Sequence, residues 1–182
     1  MILTGKKIAQ EVRRKRISIT PFDFALLNPN SYNFRLGDCV KQYKKKCLDA
    51  KTYNACETTY IHPEHGIYLQ PNRLYLGHTY EQMGSDFYVP LIGGRSSTGR
   101  LGLFVHITAP LGDIGYHGCW TLQLKATVPI RIYARQVIGQ ITFVVPQGKI
   151  TLYQGKYNNQ QAPQEYYLAS SSRSSLPHGS TT

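Results

Sequence analysis

The densest chemistry in the chain lies in "GGRSSTGRLG", residues 93–102, where four glycines, two adjacent serines and two arginines stand between apolar runs. Glycines let a backbone approach a ligand closely, and serine hydroxyls beside exposed N–H groups cradle phosphate oxygens. Arg95 and Arg100 add fork-shaped cationic donors next to Ser96 and Ser97. An ordinary Gly/Ser turn with solvated arginines needs neither the second arginine nor the serine pair. No G-x-x-x-x-G-K-[ST] pattern occurs, so the segment is not a P-loop.

A second candidate is "GDIGYHG" at 112–118, a loop between strands. Its Asp113 is the only carboxylate between Phe87 and Gln164, a stretch that carries seven Lys and Arg residues. That imbalance suits an anionic ligand. On chemistry alone Asp113 is either a turn residue or a carboxylate that orients a water or a sugar hydroxyl. Tyr116 is likewise a core aromatic or a wall against a sugar or base. The next run, "CWTLQLKAT", reads as a strand, yet it places the amide of Gln123 between two leucines. Further on, "QGKYNNQQ" at 154–161 sets Lys156 and Gln160 among amides, next to Tyr153. Lysine pairs with phosphate as a point charge, and amides and tyrosine add hydrogen bonds; taken alone the segment is a polar loop. "HPEH" at 62–65 matches half of a zinc deaminase signature, but the P-C-x-x-C half is missing, so a surface turn is expected there.

These residues need a scaffold. A chain of 182 residues, 41% hydrophobic, suffices for one domain with a real core. Thr4 is placed to cap a short helix with Ile8 and Val12 one turn apart on its inner face. From Gly66 onward the pattern is β: "GIYLQ", "RLYLGHTY", "FYVPLI", "LGLFVHITA", "CWTLQLKAT", "IRIYA", "VIGQITFVV" and "KITLY" are short runs divided by turn residues. One early helix and many short strands predict a mostly β barrel or sandwich. Residues 38–60 read as an inserted flap. Residues 1–168 make the single domain, and 169–182 a flexible Ser-rich tail.

Net charge is +11, concentrated in "RRKR" at 13–16 and "KQYKKK" at 41–46. Such a balance points to anionic partners, and solvated basic faces are the simpler account of the two clusters than a nucleic-acid groove. No run is long and apolar enough to span a bilayer, and no secretion signal opens the chain, so a cytoplasmic protein is expected. The cysteines, Cys39, Cys47, Cys56 and Cys119, form no C-x-x-C; a structural zinc site is not expected, Cys119 reads as core, and a disulfide among the other three stays open.

Taken in order, "MILTGKKI", "ITPF", "NPNSYNFRLG", "GRSSTGRLGLFVH", "GDIGYHGCWTL", "VIGQITF" and "YQGKY" resemble the dCTP deaminases, which share a superfamily with trimeric dUTPases. The match runs along nearly all of residues 1–161. The resemblance implies a distorted β-barrel (a dUTPase-like jelly roll) in a homotrimer, with active sites at subunit interfaces. It implies a pyrimidine deoxynucleoside triphosphate as substrate, dCTP or a C5-modified dCTP, carrying Mg²⁺ on its phosphates and needing no zinc. It further implies that Arg95, Ser96 and Ser97 hold phosphates, that Arg100 lies against the reacting centre, and that the Ala109 carbonyl helps hold the attacking water. Asp113 and Tyr116 fall beside the deoxyribose, and Tyr153, Lys156 and Gln160 close over the triphosphate.

One departure stands out. Where the deaminases carry a glutamate in a pattern like "TLE", this chain has Gln123. That glutamate takes a proton from the water that attacks C4 and returns it to the leaving ammonia. An amide is nearly isosteric but has no usable basicity. Pro110 and Leu111 also replace residues that are more polar in many members. Three cases fit: a deaminase whose substitution traps substrate; a dUTPase-like hydrolase that activates water with Asp113; or a protein that binds nucleotide without turnover. The second gains a loose match between the tail, with Arg173, Gly179, Ser180 and Thr181, and a dUTPase C-terminal arm, although His178 stands where a phenylalanine would stack.

Overall fold

The computed structural model describes residues 1–166. The expected tail, including Arg173, His178, Gly179, Ser180 and Thr181, lies outside the described residues.

Helix α1, Gly5–Arg13, begins where the sequence places it, with the Thr4 hydroxyl accepting from Lys7 N at 3.4 Å. Ile8 is fully buried and Val12 packs against the core beside it. The helix also buries Glu11, which meets Lys7 at 2.9 Å, Arg14 at 3.2 Å and Arg16 at 3.7 Å, and accepts from the Tyr88 hydroxyl. The Lys7 hydrogen bond holds its carboxyl below the usual carboxylate range, against the opposing effect of burial. Half of the "RRKR" cluster is therefore spent on the helix's own acid, as an internal ion network.

Eleven strands follow: β1 Ser18–Thr20, β2 Tyr32–Arg35, β3 Cys39–Tyr43, β4 Cys56–Tyr60, β5 Ile67–Leu69, β6 Tyr75–Gly84, β7 Val89–Gly94, β8 Leu103–Phe104, β9 His117–Ala126, β10 Ile130–Ile132 and β11 Val137–Val144. One sheet runs β4-β3-β6-β9-β8 with β1 also on β6, a second runs β2-β11-β7, and β5 pairs with β10. All these pairings are antiparallel. Phe34, Ile141 and Phe143 from one large sheet and Met83, Leu122 and Leu124 from the other meet in one core. The fold is mostly β with a short helix, as expected. Among the described residues the hydrogen-bonded ladders form three separate sheets and do not close into a continuous barrel.

Several local expectations change. The flap at 38–60 is a hairpin, β3 against β4. "KITLY" forms no strand, and only Leu103–Phe104 of "LGLFVHITA" does. Residues 149–153 have no strand neighbour, because the chain there runs along the 112–118 loop, with Tyr153 N donating to Ile114 O at 2.7 Å. The "RSSTGR" segment is a one-turn helix, α2, Ser96–Arg100. Its Thr98 hydroxyl accepts from Arg95 N and donates to Ile138 O, which fastens the turn to β11. All four cysteines are free thiols, and Cys119 is buried in the core as expected.

Candidate active site

Strand β9 explains its odd amide by period 2. Leu122, Leu124 and Ala126 point into the core, while Thr121, Gln123 and Lys125 face the other way. The Gln123 side chain therefore leaves the core and enters a cleft of about 590 Å³. There its Oε1 accepts from Ile107 N at 3.3 Å. The cleft also receives Ala109, Asp113 and Tyr116 from the 105–116 loop, and Tyr153 and Gln160 from the C-terminal segment.

The "GDIGYHG" turn has a double task. Gly115 and Gly118 adopt φ of 92° and 145°, and a Cβ at either would strike the C-terminal segment, at Tyr153 N or Gln160 N, 2.8 Å away. This close approach lets Asn159 N donate to His117 O and Cys119 N donate to Gln160 O, both at 2.7 Å. The segment that carries Tyr153 and Gln160 is thus stitched along the edge of the cleft. Asp113 is exposed at the cleft mouth, and among the described residues no hydrogen bond engages its carboxylate. Tyr116 is buried; its hydroxyl donates to Cys119 O at 2.7 Å, and its ring stands edge-on to Trp120. Burial drives the phenol strongly upward in pKa, so it stays protonated. Tyr116 serves the cleft as an aromatic wall, with its hydroxyl already engaged.

Sequence reasoning missed other lining residues. Trp120 forms a wall, donating from Nε1 to Met83 O at 3.0 Å. Thr121 is one register step from Gln123 on the same face, a position that strand alternation identifies; it accepts from Gln164 N at 3.0 Å. Tyr43 and Glu165 also line the cleft. The Tyr43 hydroxyl accepts from Tyr166 N at 3.1 Å, and Lys41 meets Glu165 at 2.6 Å. Burial pushes the Glu165 carboxyl up, but the Lys41 hydrogen bond and charge prevail and its net shift is downward. The hairpin thus grips residues 165–166 at the cleft, and nothing in its own sequence announces this.

The phosphate candidates lie elsewhere. Arg95, Ser96, Ser97 and Arg100 surround a separate depression of about 430 Å³. Its floor is the "NPNSYN" turn: Asn28 and Asn33 exchange side-chain hydrogen bonds at 2.8 and 3.2 Å, and Ser31 donates to Gln140 at 2.9 Å. No carboxylate lines this depression, and Arg95 and Arg100 form no ion pair among the described residues. It suits an anion, and a Mg²⁺ there would have to be held by the anion's own oxygens. The exposed Lys156 borders a third depression together with Gln160. One chain therefore gathers Ala109, Asp113, Tyr116, Gln123, Tyr153 and Gln160, and keeps the arginine–serine set apart from them. Leu101 and Phe104, and Ile107 and Leu111 at the cleft, are exposed apolar side chains, Leu111 by 65%.

A family model described as dCTP deaminase-like matches residues 2–145, the span that holds the arginine–serine set together with Ala109, Asp113, Tyr116 and Gln123. The chain belongs to the dCTP deaminase-like family. A relative from Leptospira biflexa, named "dCTP deaminase, dUMP-forming", is 47% identical over 169 residues, covering 92% of this chain and 96% of that protein. One of the same name from Clostridium beijerinckii is 46% identical over 165 residues, covering 90% and 94%. In structure, the chain is similar to the 2'-deoxycytidine 5'-triphosphate deaminase from Agrobacterium tumefaciens, with a TM-score of 0.64 at 18% identity, over 80% of this chain and 48% of that one. It thus spans about half of that solved chain, and the likeness speaks to fold.

Proposed function

We propose that the chain is a hydrolase of pyrimidine deoxynucleotides that binds dCTP with Mg²⁺ and releases its 4-amino group as ammonia, at a rate held down by Gln123. The observation that carries this is the convergence of Ala109, Asp113, Tyr116, Gln123, Tyr153 and Gln160 on one cleft in a chain 47% identical to a dUMP-forming dCTP deaminase. The same relatives extend the reading to dUMP and pyrophosphate as final products.

In this reading Asp113 and the Tyr116 ring seat the deoxyribose. The Ala109 carbonyl and the Gln123 amide flank a water opposite C4 of cytosine. Attack forms a C4–O bond, the water's proton passing to solvent, and a proton taken from solvent by the amino nitrogen lets the C4–N bond break and ammonia leave. Gln123 can hold the water but cannot take its proton. Arg95, Ser96 and Ser97 hold the triphosphate, Arg100 lies at the reacting centre, and Lys156 adds a point charge. Mg²⁺ would be held by the phosphate oxygens and would offset part of their charge.

The reading includes a homotrimer whose sites are shared between subunits. Its support is that the arginine–serine depression and the Gln123 cleft share no lining residue on one chain, and that Leu101, Phe104, Ile107 and Leu111 are exposed apolar side chains. Incubation of the chain with dCTP, dUTP and CMP in Mg²⁺ tests the activity. Slow ammonia release from dCTP alone is expected. Pyrophosphate from dUTP without ammonia from dCTP would replace this reading with a phosphohydrolase using Asp113.

A further inference from the structure

We propose that Asp38, Cys39 and His78 form a site for a zinc-like divalent metal at the root of the β3–β4 hairpin. Their ligand atoms all lie within 4.8 Å of one another. His78 Nε2 is 3.8 Å from Cys39 Sγ and 3.4 Å from Asp38 Oδ1. Around a tetrahedral zinc, bonds of about 2.3 Å to sulfur and about 2.0–2.2 Å to nitrogen or oxygen put neighbouring ligand atoms roughly 3.3–3.6 Å apart. The two separations from His78 need at most a few tenths of an ångström of adjustment, and the exposed Asp38 side chain is free to close the third, which lies within 4.8 Å.

The hydrogen bonding also asks for a cation. His78 Nδ1 lies 3.0 Å from the Thr79 carbonyl, an acceptor only, so Nδ1 carries the proton. With Nδ1 as the donor, the neutral ring presents a lone pair on Nε2. That lone pair faces a carboxylate oxygen and a sulfur. The single thiol proton of Cys39 can satisfy one of these three acceptors, whereas a metal satisfies all three and displaces that proton to solvent. An Nδ1–H bonded to a backbone carbonyl is also the support that metal-ligating histidines usually have. Thiolate, imidazole and carboxylate together favour zinc or cobalt over magnesium or calcium.

The scaffold holds the trio in place. The pairing Lys41↔Leu76 sets Cys39 beside His78, and Ile61 N fixes the Asp38 carbonyl at 2.8 Å. Gly37 leaves the ring its room: a Cβ there would lie 2.1 Å from His78 Nε2. Cys39 and His78 are buried, while the Asp38 side chain is 59% exposed and leaves a fourth position open to water. Two cations oppose the ion, Arg135 near His78 and Lys41 near Cys39, and the Asp38 and Cys39 anions offset them. Because Leu76 pairs with Gln123 and His78 with Thr121, the trio sits one cross-strand row from the cleft floor, roughly 7 Å along the strands. A bound metal would pin the base of the hairpin that holds Glu165 and Tyr166.

The test is titration of the reduced, metal-free full chain with Co²⁺, followed by displacement with Zn²⁺. One equivalent per chain is expected, with a thiolate-to-cobalt charge-transfer band. Cys39→Ser should abolish the band and His78→Gln should weaken binding on the order of tenfold or more, while Cys47→Ser and Cys56→Ser leave both unchanged. Absence of the band, or its survival in both Cys39→Ser and His78→Gln, would overturn the site. Should those two variants fail to fold, the exposed Asp38→Asn decides: several-fold weaker binding supports the site, and unchanged affinity overturns it.

Discussion

Gln123→Glu should raise the rate of ammonia release from dCTP by at least about 10²-fold, the low end of what a general base contributes. The cleft is prepared for the carboxylate. Ile107 N already donates to the side-chain oxygen at this position, at 3.3 Å, and would stabilise the charged form. The two side chains are nearly the same size, so the change should leave dCTP affinity close to that of the parent. The expected signature is a large gain in kcat with little change in KM. Equal rates in the two proteins would show that position 123 does not govern proton transfer, and would favour the hydrolase reading built on Asp113.

The second large effect concerns the division of the site. A chain carrying both Arg95→Ala and Gln123→Glu should be nearly inactive, because it lacks the phosphate clamp. The unaltered chain should be nearly inactive because it lacks the base. Mixed by co-expression, they should recover activity: in a ring assembled at random, roughly a quarter of the sites draw Glu from one chain and Arg95 from another. The prediction follows from the separation of the arginine–serine depression from the Gln123 cleft on a single chain. If one chain built a whole site, the mixture would be no better than its parts. Deamination assays on differently tagged, doubly purified assemblies separate the two results.

What the sequence reveals here follows the range of each interaction. The Thr4 cap, the buried Ile8 and the alternation of β9 are local, and the chain spells them out. Asp113, Tyr116, Tyr153 and Gln160, which the resemblance divides between the deoxyribose and the triphosphate, line one cleft, and the Tyr116 hydroxyl is bound to Cys119 O, which no motif shows. "RSSTGR" reads as a glycine-rich loop because its helix depends on a distant contact, Thr98 to Ile138 O. "KITLY" has the composition of a strand, yet it is claimed by the 112–118 turn. The grip of Lys41 and Tyr43 on residues 165–166 and the Asp38–Cys39–His78 cluster join residues far apart in the chain. No spacing rule detects such pairings, since they arise from sheet register.

In the proposed function this chain keeps a dCTP site but lacks the carboxylate that would drive its chemistry. Equilibrium titration of the unaltered chain with dCTP in Mg²⁺, followed by acid quench and identification of the bound nucleotide, tests it most directly. One dCTP per chain is expected, recovered as dCTP over times in which Gln123→Glu converts it. Failure to bind dCTP saturably, or preferential binding of dUTP with release of pyrophosphate, would contradict it.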